Sequence, residues 1–199
     1  MEIFEKSLEH LYLVFTATVF SVIVGVLLGI IAYRVKHLDK IILWLTDTLQ
    51  TIPSLALLAF LMIFFGLGDL TLIIGLVLYS LLPITRNTYT GLKDVSPFLK
   101  DAAKGMGMSK MQRLLLVELP LSFPLIFVGI KIALVTSFSI AVLGVLIGAG
   151  GLGSIIYSGI QIQDVSMILK GAIPVTLMAI VFDIFMTFIE KRMIKKAKN

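Results

Sequence analysis

The chain has no cysteine, and only two histidines, His10 and His37, among its 199 residues. Disulfides, thiolate nucleophiles and cysteine-based metal sites are excluded. The two histidines lie in polar flanks on opposite sides of the first apolar run, so they cannot share a catalytic or metal site. Charge is also scarce, at 15% of residues. No G-x-x-x-x-G-K-[ST] phosphate loop occurs. The one glycine-rich run, Gly148-Ala149-Gly150-Gly151-Leu152-Gly153, is followed by Ser154, with no lysine to hold phosphates. Nothing of the HExxH type or of paired acids within apolar segments suggests an enzyme. The absence of a convincing internal repeat and the few charges in apolar runs weigh against a gradient-driven secondary transporter or channel, the main alternative class.

What the chain has in excess is apolar sequence, 58% of residues, with a mean hydropathy of +1.05. This is the composition of a multi-pass, all-α membrane protein, read here as one domain over residues 1–199. Residues 1–10 are polar. Residues 11–33 form an uninterrupted apolar run, long enough for a bilayer core of about 30 Å and too long for a cleavable signal. Gly25 and Gly29 form a small-xxx-small pair within it, a pattern common enough by chance to carry little weight alone. Further spans are expected at 41–65, 70–89, 121–147 and 171–189. The second contains a polar patch, Asp47, Gln50, Thr51, Pro53 and Ser54, and Pro53 should bend it. Residues 154–170 read as a short helix plus loop outside the bilayer core.

Charge sets an expected orientation. With the N-terminus outside, the inner side collects Arg34, Lys36, Lys40, Arg86, Lys93, Lys100, Lys104, Lys110, Arg113 and the tail residues Lys191, Arg192, Lys195, Lys196 and Lys198. The outer side keeps only Lys6 and Lys170. This satisfies the positive-inside rule, with five spans, N-terminus out and C-terminus in. The net charge of +5 is thus a topological signal, and no nucleic-acid partner is expected. The same rule places residues 93–120 in the cytoplasm.

That cytoplasmic segment has a pattern of its own. Ser96 suits an N-cap and Pro97 a first helical turn. Phe98, Leu99, Ala102, Ala103 and Met106 recur at helical spacing, with Lys100, Asp101 and Lys104 on another face. Gly107 suits a left-handed stop, and Ser109 can cap a second helix running through Leu116. Pro120 stands where a span could begin. Two short amphipathic helices joined by a bend could lie on lipid or dock on a partner that the paired small residues Ala102 and Ala103 allow to approach. The residues alone do not choose between these.

The spacing Asp101-Ala102-Ala103, then Gly107, then Val117-Glu118-Leu119-Pro120 resembles the "EAA loop" of ABC-transporter permeases. Asp101 stands where glutamate is usual, and Val117 where isoleucine is usual. Asp keeps the charge with a shorter reach. The stretches 51–58 (TIPSLALL), 82–91 (LPITRNTYTG) and 147–153 (IGAGGLG) are similar to permeases of osmoprotectant importers, and the resemblance covers about residues 10–190. It implies the type I (MetI-like) importer permease fold in the cell membrane. It also implies coupling to an ATP-binding cassette ATPase through Asp101, Ala102, Ala103, Gly107, Leu119 and Pro120. A second permease subunit and an extracellular substrate-binding protein would complete the machine. The solutes implied are glycine betaine, carnitine and choline. ATP and Mg would belong to the ATPase, and this chain would bind no cofactor.

Other residues stand out on physical grounds. Lys131 within a span is costly unless paired, and Asp47 or Asp183 is the expected partner; Asp183 also sits close enough to the basic tail to be an interface residue. Arg86 reads as a positive-inside anchor rather than a substrate ligand. Trp44, Tyr79 and Tyr89 could face a quaternary ammonium, but aromatics in spans more often serve packing and interface roles. Gly148, Gly150, Gly151 and Gly153 end a helix and permit a tight turn; the functional alternative is an outer gate or docking surface.

Overall fold

The computed structural model describes residues 1–198, without the side chains of residues 196–198 in the basic tail. Among the described residues the chain is helical, with no strand. Its helices outrun the apolar runs that signalled them. Helix α1 spans Glu2–Arg34, starting well before residue 11. Nothing in its polar first turns breaks a helix, and Glu2 and Glu5 sit where the helix dipole favours acids. Helix α4, Asp69–Asp94, and α9, Val165–Lys198, likewise extend beyond 70–89 and 171–189.

The expected second span is not one kinked helix. It is two, α2 (Leu38–Thr51) and α3 (Ser54–Phe65), bent by 102° across the break. Pro53 has no N–H to donate and pushes Ile52 out of the helical region, to φ −71 and ψ 127. Pro83, by contrast, is absorbed inside α4.

The segment expected in the cytoplasm forms α5 (Pro97–Gly105) and a short α6 (Lys110–Arg113). The second helix does not stop short of the membrane as expected. It runs through a π-helical turn, Leu114–Glu118, directly into α7, Leu119–Ala141. Pro120 lies directly after the π-helical turn, where the wider hydrogen-bond pattern already departs from the α-helical one, and the run continues through it. A 3-10 stretch, Val142–Ile147, finishes it. Helix α8 (Gly153–Gln161) and a three-residue turn then lead into α9.

Helix α4 is the axis of the bundle. Helix α1 lies along one side of it and α7 along another, with α2 and α3 also against it, while α9 packs on α7 and α8. The close contact of α1 with α4 rests on the glycine pair that had little weight in the sequence. A Cβ on Gly25 would lie 2.8 Å from Ile84 Cγ2, and one on Gly29 2.5 Å from Thr88 Cβ. The buried core joins Leu13 and Val14 of α1, Leu58 of α3, Leu72 and Leu76 of α4, and Leu134 and Phe138 of α7. Four helical segments are long and apolar enough to cross a membrane; the bent α2–α3 pair would make a fifth.

Candidate functional site

One end of the bundle carries an exposed helix–turn–helix. Gly107 has φ +81, the left-handed geometry a side chain would strain, and turns the chain between α5 and α6. Ser96 occupies the N-cap of α5 without a side-chain bond to the helix. Ser109 caps α6 fully: its Oγ accepts from the Gln112 N–H at 3.3 Å, while the Ser109 N–H donates to Gln112 Oε1 at 2.8 Å. Phe98 and Met106 project from α5 with 77% and 72% of their surface exposed, and Met111 is exposed on α6. Asp101 and Ala102 also face outward, but Ala103 is buried within the chain. The expectation that both alanines offer one close-approach surface is corrected here: neighbours on a helix point about 100° apart, so one of them must face the bundle. Leu119 is half-buried and Pro120 exposed at the start of α7.

This element is tied to the membrane helices. Lys100 Nζ donates to Leu92 O at 2.9 Å, at the end of α4, and lies 5.2 Å from the centre of the Tyr33 ring at the end of α1. Arg34 Nη1 donates to Lys110 O at 2.9 Å. Across the π-helical turn, Arg113 Nε at the end of α6 donates to Glu118 Oε1 at 2.6 Å, with the Glu118 side chain only 1% exposed. Lys100 and Arg34 thus tie the element to the ends of α1 and α4, and α6 runs on into α7. Sequence reading passed over Glu118; the available signal was a lone acid in the apolar run Leu114–Pro120, five residues after Arg113.

The intramembrane charges pair differently from expectation. Lys131 Nζ donates to Glu190 Oε2 at 2.6 Å, joining α7 to α9, and not to Asp47 or Asp183. Asp183 is exposed on α9. Asp47 instead receives Arg86, between α2 and α4. Helix α9 continues past residue 189, so Glu190, two turns beyond Asp183, comes within reach of Lys131.

At the other end of the bundle the glycine run is a packed turn. Gly148 and Gly151 have φ +74 and +91. The Gly150 N–H donates to Asp69 Oδ1 at 2.9 Å. A Cβ on Gly150 would strike the Glu9 carboxylate, and one on Gly151 would lie 2.9 Å from His10 Nδ1. His10 itself is fully buried, its Nε2 3.1 Å from Phe138 O. The turn thus fastens the start of α1 to α4 and α7, and Gly153 opens α8. Glu9 and His10 were not marked in the sequence, where they read as polar flank.

Among the described residues the chain is a helical bundle of membrane-crossing length, with an exposed helix–turn–helix at one end bonded to α1 and α4. The chain belongs to the family described as "Binding-protein-dependent transport system inner membrane component", whose pattern matches residues 21–195. It is 42% identical, over 99% of this chain and 87% of the relative, to the glycine betaine/carnitine/choline transport system permease protein OpuCD of Bacillus subtilis. It is 38% identical, over 96% and 88%, to the choline transport system permease protein OpuBB of the same organism. Its fold is that of the inward-facing MetNI methionine ABC transporter structure, with a TM-score of 0.86 at 22% identity over 97% of each chain. This is the MetI-like, type I importer permease fold, and the family is a transport component of the inner membrane rather than an enzyme.

Proposed function

We propose that this chain is the permease subunit of an ATP-driven importer of compatible solutes of the quaternary-amine class, such as glycine betaine, carnitine and choline. It crosses the membrane five times, N-terminus outside and C-terminus inside, with the α2–α3 pair forming one broken span. The relatives' names support the solute class, and the distribution of Lys and Arg supports the orientation.

The observation that carries the mechanism is the braced helix–turn–helix. Phe98, Met106 and Met111 offer an apolar knob, with Asp101 and Ala102 beside it, for a groove on an ATPase subunit. Lys100, Arg34 and the Arg113–Glu118 pair pass its displacement to the ends of α1, α4 and α7. ATP and Mg are bound by that ATPase. A second permease subunit, identical or related, completes the pathway, and an extracellular binding protein delivers the solute. The packed glycine turn, Gly148 to Gly153, serves as the tight turn that holds the start of α1 against the bundle.

Uptake into energised cells tests this reading. ATP depletion should abolish glycine betaine uptake, while collapse of the proton gradient at constant ATP should leave it. The reverse pattern would return the chain to the gradient-driven class.

A further inference from the structure

Ion pairs at the surface of a membrane bundle have two places to be. They face hydrocarbon, which is costly, or they face water or another subunit. The Asp47–Arg86 pair is of this kind. Arg86 Nη2 donates to both Asp47 oxygens, at 2.8 and 2.6 Å. Yet the Arg86 side chain stays 54% exposed and that of Asp47 40%. The Lys131–Glu190 pair, by contrast, is enclosed, at 19% and 18%.

A second observation falls on the same seam between α2 and α4. The span is broken at Ile52 and Pro53, and irregular backbone at membrane depth persists only where protein or water covers it. The break is lined with polar bonds. The Tyr79 hydroxyl donates to Ile52 O, and Gln50 Nε2 donates at 3.1 Å to Tyr79 O, the carbonyl that Pro83 leaves without its helical partner. Broken spans at midplane are where transporters place their solute sites. Exposed Trp44 lies one turn before Asp47 on α2, whereas Tyr89, one turn after Arg86, is taken up by Asp39, which accepts from its hydroxyl at 3.2 Å, and by Lys93, whose Nζ lies 5.5 Å from its ring centre.

We propose that Asp47 and Arg86 form a transit site for a zwitterionic solute, with the carboxylate on Arg86 and the quaternary ammonium between Asp47 and the ring of Trp44. The site rests on the import reading above. When empty, the two side chains neutralise each other. A zwitterion supplies both opposite charges, so the pair opens without stranding either partner. A purely cationic solute satisfies Asp47 alone and leaves Arg86 unpaired, which is the costly arrangement.

The test is uptake by the complete transporter in proteoliposomes, with ATPase and solute-saturated binding protein, so that capture does not limit the rate. Glycine betaine and choline differ by the carboxylate and serve as the paired probes. In Arg86→Gln the ratio of maximal rates, glycine betaine over choline, should fall about tenfold or more, the scale of one lost bond to a charged group. Arg86→Lys should restore part of that ratio. The doubly neutral Asp47→Asn/Arg86→Gln chain, which strands no charge, should still show the lowered ratio. Equal loss of both solutes in Arg86→Gln and in the double variant, with the complex intact, overturns the site and leaves the import reading standing. Import of neither solute by the wild-type complex overturns the import reading and the site with it.

Discussion

At the scale of single residues, the costly groups are those whose removal strands a partner. Lys131 and Glu190 are each less than one-fifth exposed and bonded at 2.6 Å. Breaking a fully buried pair costs about 3–5 kcal/mol, and the remaining exposure here points to the lower end. Glu190→Gln should therefore lower the detergent-solubilised Tm clearly. The double variant Lys131→Met/Glu190→Gln should recover most of that loss, because neither charge is left alone. A double variant no more stable than the single one would mean that the pair does not organise the contact of α7 with α9. Sequence reading recognised Lys131 as needing a partner but chose the wrong acid. Asp47 and Asp183 lay inside the expected spans, whereas Glu190 lay just past the expected end of the last one. The error was in the helix boundary, not in the electrostatics.

At the scale of elements, the contact of α1 with α4 depends on residues too small to keep the helices apart. Gly29→Ala should cost about 1–3 kcal/mol, because its Cβ would meet Thr88 Cβ at 2.5 Å and the Thr85 carbonyl at 2.9 Å. Gly105→Ala, where nothing lies within 4 Å, should be neutral or slightly stabilising. Thermal unfolding of the two variants side by side checks this; equal effects would refute the close-packed seam. Element existence was legible throughout, since long apolar runs announce spans. What hydropathy does not register is where helices end. It missed the polar extensions of α1 and α9, which cost nothing outside the apolar core. It also missed the merging of α6 with α7, and the size of the bend at Pro53, which depends on what α4 offers the freed backbone groups.

At the scale of the whole molecule, the two ends of the bundle are built differently. One end is locked by a glycine turn packed on Glu9, His10 and Asp69. The opposite end carries a helix–turn–helix with exposed Phe98, Met106 and Met111, its base bonded to α1 and α4. The spacing from Asp101 to Pro120 marked that element in the sequence. Its bracing by Lys100, Arg34 and Glu118 was not readable there, because those bonds join residues brought together by the fold. Purification of the tagged chain from native membranes in mild detergent, with mass spectrometry of what accompanies it, tests the central claim most directly. The account predicts an ABC ATPase subunit with the wild-type chain and its loss from Gly107→Pro, a change that disrupts the left-handed turn between α5 and α6. An ATPase retained by Gly107→Pro, or absent from the wild type, would contradict it.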